Sequence, residues 1–501
     1  MRETTKFLAI DLGASSGRVM RARWDGATIE LSEIHRFANR PVRTRDGFQW
    51  DILALWRDIK AGLAKAADSE GKTLAGIGVD TWGLDFALLD RQGHLLANPY
   101  HYRDDRTLGM LELAFERVPR SELFRATGIQ FMRLNSLYQI LSMVHADDPR
   151  LEAADTLLFI PDLLHHWLGG QAVAEYTIAS TSQMLRAGEQ AWATDLLARL
   201  NVPTRILPDL IPPGTVVGEL RSDLVKQLGF AAPVPIVAPA GHDTGSAVAA
   251  IPDLGENDAY ISSGTWSLVG VETPQVLVND AALELNVTNE AGVAGTNRLL
   301  KNVTGLWLVQ ECRRQWTREG DVFHWEDLTG QAEQAQPLRS IIDPDAPAFV
   351  SPPDMVAAVR GFCRRTDQPV PHTVGEVVRC CLESLSLKYS WVVEALERVI
   401  GHPLDTVRVV GGGSRNTLLC QFTADACQRP VVAGPAEATA LGNAMIQAVG
   451  RRYLSDVAEG RQAIAASVRR HRYVPGPSAP WDAASAKLEA IMDRATDRGV
   501  S

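Results

Sequence analysis

Three apolar, strand-like runs in the sequence end in carboxylates. They are Asp11 in "FLAIDLG", Asp80 in "IGVDTWG" and Asp243 in "VAPAGHD". An ionised carboxylate buried without a partner is costly, so each should lie beside a cation, a ligand or water. Because ligands of α/β sheets bind beyond the carboxyl ends of strands, we expect the three acids to converge on one site. For each acid taken alone, a structural or turn-capping role explains the residue equally well.

A Gly- and Ser-rich turn, "GASSGR" from Gly13 to Arg18, follows the first of these acids. Small residues, backbone amides and hydroxyls of this kind form concavities that bind phosphate, although a plain hairpin turn has the same composition. A second turn of this type, "SSGTWS" from Ser262, follows a strand-like run in the second half of the chain. The two turns together predict a nucleotide site.

Two other nucleotide-binding motifs match the sequence only in part. The stretch "ADSEGKT" ends at Thr73 like a P-loop, but Ala66 occupies the position of the first Gly and a helical pattern precedes it. The stretch "GGGSRN" follows a strand as a dinucleotide-binding loop does, but Asn416 replaces its last Gly. Neither a P-loop NTPase nor a Rossmann dehydrogenase is indicated. The three glycines at 411–413 still permit a flat ligand, such as an adenine or a ribose, to approach the backbone.

The composition excludes several classes of protein. A length of 501 residues predicts two or more domains. A formal net charge of −10, with no cluster of Lys and Arg, argues against nucleic-acid binding. The first residues lack the apolar core of a signal peptide and no later run reaches membrane-spanning length, so we expect a cytoplasmic protein without a membrane partner.

All six cysteines lie in the second half of the chain, and they do not form two Cys-x-x-Cys units. This spacing is not that of a zinc site, and reduced, partly buried thiols are the favoured interpretation for a reducing compartment. The sequence leaves a disulfide between some of them open.

The elements around the first two acids follow a simple order. The opening predicts an antiparallel meander of three strands with a turn at Asp25 and Gly26. A helix capped by Asp51 should follow, and then the strand that ends in Asp80. From about residue 120 to 200 the apolar spacing is helical, including "TLLFIPDLLHHWLGG". We therefore predict an N-terminal domain at 1–235 with a helical insertion at about 105–200, a C-terminal domain at 236–460 and a helical tail at 461–501.

The second half of the chain repeats the strand, polar Gly turn and strand of the first. In addition, "DLGAS" at Asp11 and "DTGSA" at Asp243 share the pattern Asp-x-Gly-small. This match predicts that the two acids occupy equivalent places in a duplicated fold.

Seven stretches of the sequence, in order, resemble the FGGY family of carbohydrate kinases: "DLGASSGR", "IGVDTWGLDFALLD", "GHDTGSA", "SSGTWSL", "LKNVTGLWL", "VVGGGSRN" and "ALGNA". The resemblance covers nearly the whole chain. It implies an α/β fold of two ribonuclease-H-like domains of the actin and hexokinase superfamily, with ATP and a sugar bound in the cleft between them. The stretches "TWGLDF", "YRDDRT" and "NVTNEAG" are more similar to the branch that phosphorylates L-rhamnulose than to the glycerol, xylulose or fucose branches.

The resemblance also implies roles for individual residues. The residues that hold ATP would be Ala14, Ser15, Ser16, Gly17, Arg18, Thr265, Gln310 and Gly412. The residues that contact the sugar would be Gly83, His242, Asp243, Thr244 and Asn302. Asp243 would be the general base, and Asp11 would lie near Mg²⁺, through water. One departure is "NSLYQIL", which replaces a Lys-containing family pattern and puts Gln139 near the usual basic position.

Two classes of function fit this sequence. The first is a sugar kinase, for L-rhamnulose or for another ketose such as L-fuculose or D-xylulose. The second is an ATP-binding protein of the same superfold that switches or assembles, because fold alone does not separate the two. The stretch "GHDTG" favours the kinase, since it supplies a base with sugar-contacting neighbours. The partners would be ATP and a small sugar, and the sequence leaves a monomer and a small homo-oligomer open.

Overall fold

The structure is a computed structural model that describes residues 4–70 and 74–497. The Gly-Lys-Thr at 71–73, which ends the P-loop-like stretch, lies outside the described residues. The chain divides into two compact units. The first comprises Met1–Asp253, Glu272–Leu299 and Ala438–Val468, and the second comprises Leu254–Val271, Leu300–Glu437 and Arg469–Ser501. The predicted domain boundaries at 235 and 460 stay a prediction.

Strands and helices alternate along much of the chain. The strands are β1 (Thr5–Leu12), β2 (Ser16–Trp24), β3 (Ile29–Ala38), β4 (Val42–Thr44), β5 (Gly47–Gln49), β6 (Gly76–Thr81), β7 (Phe86–Leu89), β8 (Thr156–Phe159), β9 (Ala174–Glu175), β10 (Leu210–Ile211), β11 (Thr215–Glu219), β12 (Pro235–Ala238), β13 (Asp258–Ser263), β14 (Trp266–Thr273), β15 (Thr288–Ala291), β16 (Asn297–Thr304), β17 (Thr406–Val410), β18 (Val431–Ala433) and β19 (His471–Tyr473). The helices are α1 (Ile52–Glu70), α2 (Met110–Arg117), α3 (Arg120–Thr127), α4 (Ser136–His145), α5 (Pro149–Ala153), α6 (Ile160–Leu168), α7 (Tyr176–Ser180), α8 (Thr194–Arg199), α9 (Ser222–Leu228), α10 (Asp243–Ala249), α11 (Asp280–Glu284), α12 (Trp307–Glu319), α13 (Trp325–Gln334), α14 (Met355–Arg365), α15 (Val374–Ile400), α16 (Thr417–Cys427), α17 (Ala438–Gly450), α18 (Val457–Ser467) and α19 (Ala479–Asp497).

The first unit is built on a six-stranded sheet with the order β11-β12-β6-β1-β2-β3. Strands β1, β2 and β3 form the predicted antiparallel meander, and Gly26 takes a φ of 95° in the turn between β2 and β3. Strands β6 and β12 continue the sheet in parallel with β1. The amide of Ala54 donates to the Asp51 carboxylate at 3.0 Å, so the predicted cap of α1 is confirmed.

The predicted helical block between residues 120 and 200 is confirmed in its helices α3 to α8, but the block also contains the short strands β8 and β9. "TLLF", read as the start of a helix, is strand β8, which pairs antiparallel with β7. A short continuous apolar run has no periodicity that separates a buried strand from a buried helix, so its partner strand decides.

The second sheet has seven strands in the order β15-β16-β14-β13-β17-β18-β19. Its segment β16-β14-β13-β17-β18 repeats the order β3-β2-β1-β6-β12 of the first sheet, and β17 and β18 run parallel to β13 as β6 and β12 run parallel to β1. The predicted repeat of the fold is therefore confirmed at the level of strand order.

The predicted equivalence of Asp11 and Asp243 is wrong. Asp11 lies near the end of β1, before a hairpin turn, whereas Asp243 is the first residue of helix α10 in the first unit. The counterpart of the first hairpin turn is the turn between β13 and β14, at Gly264 and Thr265. The four-residue match arose because a strand end and a helix start both accommodate Asp and small residues.

The six cysteines lie within the described residues, and all are buried free thiols, as predicted. In the described part of the chain no helix is both long and apolar enough to cross a membrane.

Candidate active site

The three acids that follow apolar runs meet in the first unit. Asp11 and Asp80 are direct neighbours in the register of the parallel strands β1 and β6. Thr81 follows Asp80 and forms a parallel bridge with His242, which places Asp243 at the same sheet edge. The charges of Asp11 and Asp243 both act to raise the pKa of Asp80, which requires that the three groups lie near one another. The predicted convergence of the three acids is thus confirmed.

The cation expected beside Asp11 is Arg18, whose guanidinium forms an ion pair with the Asp11 carboxylate. The two residues face each other because β1 and β2 are antiparallel with Asp11 opposite Arg18. The side chain of Arg18 is 19% exposed and that of Asp11 only 7%, so the pair is largely removed from water. Arg18 therefore carries positive charge directly beside the Gly- and Ser-rich turn.

The turn between β1 and β2 has a fixed backbone. The amide of Gly13 donates to the Ser16 carbonyl at 2.9 Å. Asn39, which follows β3, donates its side-chain amide to the Gly13 carbonyl at 3.0 Å and its backbone amide to the Ser15 carbonyl at 3.1 Å. The carbonyls of Gly13, Ser15 and Ser16 are thereby occupied, and the Ser15 side chain is left exposed at the tip of the turn. The turn is therefore held in one conformation by Asn39 and by its own internal hydrogen bond.

Asp80 is fully buried and is only partly hydrogen-bonded. The side-chain amide of Asn443 donates to Asp80 Oδ2 at 2.6 Å, and Gln447 donates to Asn443 Oδ1 at 2.6 Å. Asp80 Oδ1 has no hydrogen-bond partner among the described residues. Burial, and then the charge of Asp11, raise the pKa of Asp80 well above its ordinary value. An unsatisfied carboxylate oxygen in such a place marks a functional site better than a structural one.

Asp80→Asn is expected to stabilise the metal-free protein at pH 7 by about 1–3 kcal/mol, because it removes a buried negative charge of which only one oxygen is hydrogen-bonded. Because the pKa of Asp80 is raised in the fold, the unfolded chain loses its proton first as the pH rises. The free energy of unfolding of the wild type therefore falls as the pH rises from about 4, the ordinary pKa of Asp, to the raised pKa of Asp80 in the fold. In thermal unfolding with a chelator present, the variant should unfold at a higher temperature than the wild type at pH 7, and this difference should disappear near pH 4. A variant less stable than the wild type at pH 7 would contradict this account.

The carboxylate of Asp243 is oriented by its neighbour in helix α10. The backbone amide of Thr244 donates to Asp243 Oδ1 at 2.6 Å, and the Thr244 hydroxyl donates to the same oxygen at 3.2 Å. The Asp243 side chain is 31% exposed, so a ligand can reach it. Burial raises the pKa of Asp243, against the opposing charge of His242. A raised pKa makes the carboxylate a stronger base, as proton abstraction requires.

His242 connects Asp243 to a buried ion pair that the sequence did not reveal. His242 Nε2 lies 3.5 Å from Asp243 Oδ1, and its Nδ1 lies 3.1 Å from Glu290 Oε2. Arg298 Nη2 lies 3.2 Å from the same Glu290 oxygen, and Arg298 is wholly buried. Burial acts to raise the pKa of Glu290, but the charges of His242 and Arg298 prevail and lower it. The imidazole is therefore held between two carboxylates and is fixed in orientation.

Gly83 lies close to His242 in the turn between β6 and β7. A Cβ built at Gly83 would lie 3.3 Å from His242 Nε2 and 3.4 Å from Thr181 Oγ1. The next residue, Leu84, has a positive φ of 78°, which is strained for a non-glycine residue. The structure thus brings Gly83, His242, Asp243 and Thr244 together, as the resemblance implied.

The turn that carries Gly83 is held by a buried carboxylate, Asp85. Its Oδ2 accepts hydrogen bonds from the indoles of Trp50 at 2.6 Å and Trp82 at 2.9 Å. Its Oδ1 accepts from the side-chain amide of Gln139 at 2.8 Å, and burial raises the pKa of Asp85 to about 6. Gln139, at the position where the family pattern has a basic residue, is therefore a buried partner of Asp85.

The remaining predicted ATP residues lie in the second unit. The hydroxyl of Thr265, in the turn between β13 and β14, donates to Gln310 Oε1 at 3.1 Å. The amide of Trp307 donates to the Thr265 carbonyl at 3.1 Å and ties this turn to the start of α12. Asn302, a predicted sugar contact, lies half-buried on β16 of the same sheet.

The three glycines at 411–413 have different reasons to be glycine. Gly411 has a φ of 80°, and a Cβ built on Gly413 would lie 2.0 Å from Ser263 Oγ. A Cβ built on Gly412 meets no heavy atom of the described residues within 4 Å. Gly411 and Gly413 are thus required by backbone and packing, whereas a side chain at Gly412 would face open space.

The carboxylates of Asp11 and Asp80 suit a magnesium ion. In the described part of the chain, no group of three His, Cys, Asp or Glu residues is placed to hold a metal on its own. Mg²⁺, however, keeps several waters and is bound through one or two carboxylates together with substrate phosphates. The paired carboxylates and the unsatisfied Asp80 Oδ1 match that donor set.

Comparisons with known proteins cover nearly the whole chain. The model for the N-terminal domain of the FGGY family of carbohydrate kinases matches residues 6–250, and the C-terminal domain model matches residues 259–451. The chain is 48% identical over 478 residues to a rhamnulokinase from Bacteroides thetaiotaomicron, with 95% of this chain and 97% of the relative covered. It is 42% identical over 470 residues to a rhamnulokinase from Pectobacterium atrosepticum, with 93% and 92% covered.

Solved structures share the fold at much lower sequence identity. A xylulose kinase from Lactobacillus acidophilus matches with a TM-score of 0.80 at 16% identity, over 98% of both chains. A glycerol kinase from Plasmodium falciparum matches with a TM-score of 0.76 at 15% identity, over 99% of this chain and 98% of that one. These likenesses confirm the predicted α/β fold. With both family models matched, the chain belongs to the FGGY family of carbohydrate kinases.

Proposed function

We propose that this protein transfers the γ-phosphoryl group of ATP to the 1-hydroxyl of L-rhamnulose, giving L-rhamnulose 1-phosphate and ADP, as a step of L-rhamnose catabolism. The observation that carries the kinase chemistry is Asp243, a partly exposed carboxylate oriented by Thr244 and placed beside His242. The choice of L-rhamnulose is supported by the rhamnulokinases that are 48% and 42% identical to this chain over nearly its full length.

Asp243 is the general base of the proposed reaction. Phosphoryl transfer passes through a loose transition state, so catalysis depends on positioning and on charge stabilisation. The sugar hydroxyl gives its proton to the Asp243 carboxylate as its oxygen bonds to the γ-phosphorus, and the bond to the β-phosphate oxygen breaks to release ADP. The hydrogen bonds from Thr244 hold the carboxylate in one orientation for this transfer.

The phosphates of ATP are assigned to the turn between β1 and β2. The set of residues is Ala14, Ser15, Ser16, Gly17 and Arg18. Arg18 supplies positive charge at this turn, and Asp11 would hold a Mg²⁺ ion, through water. When bound, Mg²⁺ offsets negative charge on the phosphate oxygens. In the second unit, Thr265, Gln310 and Gly412 contact the nucleotide, Gly412 because its missing side chain leaves room.

The sugar is assigned to Gly83, His242, Thr244 and Asn302, together with Asp243. Gly83 lies against His242, since a Cβ there would be 3.3 Å from His242 Nε2, and a side chain would press on the ring. Because His242 is fixed by Glu290, its ring presents a defined polar edge to a sugar hydroxyl.

The substrate assignment is tested by measuring ADP release with ATP and Mg²⁺ across L-rhamnulose, L-fuculose, D-xylulose, L-ribulose and glycerol. We expect kcat/KM for L-rhamnulose to exceed that for each other compound by at least about tenfold, since a site built for particular hydroxyls rejects sugars that misplace them. Preference for another ketose would keep the kinase chemistry and overturn the substrate. ATP hydrolysis that does not depend on sugar would instead favour the ATP-binding switch.

A further inference from the structure

A short buried stretch, "EYTIAST", contacts each part of the proposed sugar side of the first unit. It consists of Glu175 at the end of β9, helix α7 (Tyr176–Ser180) and Thr181. We refer to these residues as the 175–181 segment. None of its residues belongs to the set proposed above to bind sugar or nucleotide.

The start of the segment binds the backbone just before Asp243. The amide of Gly241 donates to Glu175 Oε2 at 2.8 Å, and the amide of His242 donates to Thr177 Oγ1 at 3.4 Å. The Thr177 hydroxyl donates in turn to Glu175 Oε2 at 2.6 Å. The two peptide units that lead into Asp243 are therefore anchored on Glu175 and Thr177.

The two glycines that flank the base in "GHDTG" both abut this segment. A Cβ built at Gly241 would lie 3.1 Å from Glu175 Oε2, and one built at Gly245 would lie 3.4 Å from Thr177 Oγ1. The first distance is shorter than an ordinary van der Waals contact and the second is at such a contact, so a side chain at either glycine would press on the segment. The motif around Asp243 is thus shaped to lie directly against Glu175 and Thr177.

The end of the segment contacts the other two parts of the site. Thr181 Oγ1 accepts a hydrogen bond from the amide of Leu84 at 3.3 Å, next to Gly83. Ser180 Oγ accepts from the amide of Ala291 at 2.9 Å, next to the glutamate that pairs with His242. One helical turn therefore joins the base, the sugar-side turn and the strand that orients His242.

Glu175 is an unusual residue for a helix cap in a protein core. It is wholly buried, and its carboxylate also accepts from the amides of Thr177 at 2.8 Å and Ile178 at 3.2 Å. Burying a charge is costly unless its oxygens are satisfied, and here both oxygens are. The neighbouring Asp162 accepts only the Glu175 backbone amide, at 3.2 Å, and its other oxygen has no partner in the described residues.

We propose that the 175–181 segment sets the position of the catalytic base and of the sugar-side turn, with Glu175 as the positioning residue for Asp243 and Thr181 as the positioning residue for Gly83. This inference rests on the proposed function, in which Asp243 is the base and Gly83 contacts the sugar. Neither Glu175 nor Thr181 touches the reacting atoms.

The first test is Glu175→Gln. The side-chain amide has one acceptor oxygen where Glu175 has two, so it cannot accept from both the Thr177 amide and the Gly241 amide. The contact between the segment and the turn before Asp243 is thereby disturbed. We expect kcat to fall about tenfold, with the KM for ATP and the thermal midpoint close to wild type, because small displacements of a catalytic group have large effects on rate. If this variant does not fold, Thr177→Val, which removes the acceptor of the His242 amide, carries the same expectation.

The second test separates the two ends of the segment. Thr181→Val removes the acceptor of the Leu84 amide and should raise the KM for the ketose about fivefold with little change in kcat, as loss of an aligned binding contact does. Thr181→Ser keeps the hydroxyl and should restore the wild-type KM. Equal effects of Val and Ser, or a wild-type KM in the Val variant, would overturn the role of Thr181.

Asp162→Asn is the matched control for Glu175→Gln. It makes the same acid-to-amide change in a neighbouring buried residue whose hydrogen bond is to the Glu175 backbone amide. The Asn oxygen can still accept that bond, so we expect wild-type kcat and KM. A wild-type kcat in Glu175→Gln, or an equal loss in Asp162→Asn, would overturn the proposal.

Hydrogen exchange of the unliganded protein provides a measurement that does not depend on turnover. Exchange of the Gly241 and His242 amides should become at least about fivefold faster in Glu175→Gln and stay unchanged in Asp162→Asn, because exchange reports local opening. Unchanged exchange in Glu175→Gln would overturn the anchoring. If the wild-type protein phosphorylates no ketose while the exchange difference is found, the proposed function fails and the anchoring by Glu175 stands.

Discussion

Asp243→Asn is expected to lower kcat about 100- to 10,000-fold, the range of general-base contributions, while the KM for the ketose stays within about threefold. Asn has the shape of Asp and can still accept the hydrogen bond that the Thr244 amide donates to Oδ1. It cannot take a proton from the sugar hydroxyl. Because the proton moves only as the transition state forms, the loss should appear in kcat, and steady-state kinetics with saturating ATP measure it.

Asp223→Asn is a suitable control for this variant. Asp223 lies in the first turn of α9 with 65% of its side chain exposed, so the same chemical change should leave kcat and KM at wild-type values. A near-normal kcat in Asp243→Asn would remove the base from the mechanism. A loss expressed wholly as a higher KM would instead assign Asp243 to sugar binding.

The convergence of the acids could be predicted because it depends on local rules. An apolar strand that ends in Asp, followed by a small-residue turn, places the carboxylate at the carboxyl edge of a sheet whatever its partners are. The meander and the register of β1 against β6 then bring Asp11 and Asp80 together. Their spacing in the sequence played no part in that inference.

The groups that surround these acids could not be predicted, because their partners are remote in the chain. Asn443 binds Asp80 across 363 positions, and Arg298 reaches His242 across 56. Only the motif "ALGNA" marked Asn443, and nothing in the sequence distinguished Arg298 from a surface arginine. Such contacts depend on which helices and strands pack against each other. A local sequence pattern does not predict that packing.

Gln139 shows how a departure from a family pattern can be understood once the contacts are known. In the structure its amide donates to Asp85 Oδ1 at 2.8 Å, while its Oε1 accepts from Arg106 Nη2 at 2.8 Å. A neutral amide thus links a buried carboxylate to a buried guanidinium, and Arg106 supplies the positive charge one step further away. The sequence showed that Gln139 replaces a basic residue. It did not show that Arg106, 33 positions earlier, donates a hydrogen bond to Gln139.

Gly412→Val is expected to raise the KM for ATP at least about 10- to 100-fold, because it places the three carbons of an isopropyl group in a fitted site where even one methylene has an effect of this order. A Cβ at Gly412 meets no heavy atom of the described residues within 4 Å, so the unliganded fold should tolerate the change and the thermal midpoint should stay at the wild-type value. The KM for the ketose should change little. Nucleotide titrations and steady-state kinetics measure the two affinities separately.

The matched control is Gly330→Val, in helix α13 of the same unit. A Cβ there also meets no heavy atom of the described residues within 4 Å, and the site lies outside the proposed nucleotide residues, so the KM for ATP should be unchanged. Gly413→Ala provides the opposite comparison, because its Cβ would lie 2.0 Å from Ser263 Oγ and should destabilise the fold itself. An unchanged KM for ATP in Gly412→Val would exclude this loop from nucleotide binding. A raised KM for ATP with an unchanged thermal midpoint in Gly412→Val would show that ATP occupies the open space beside Gly412.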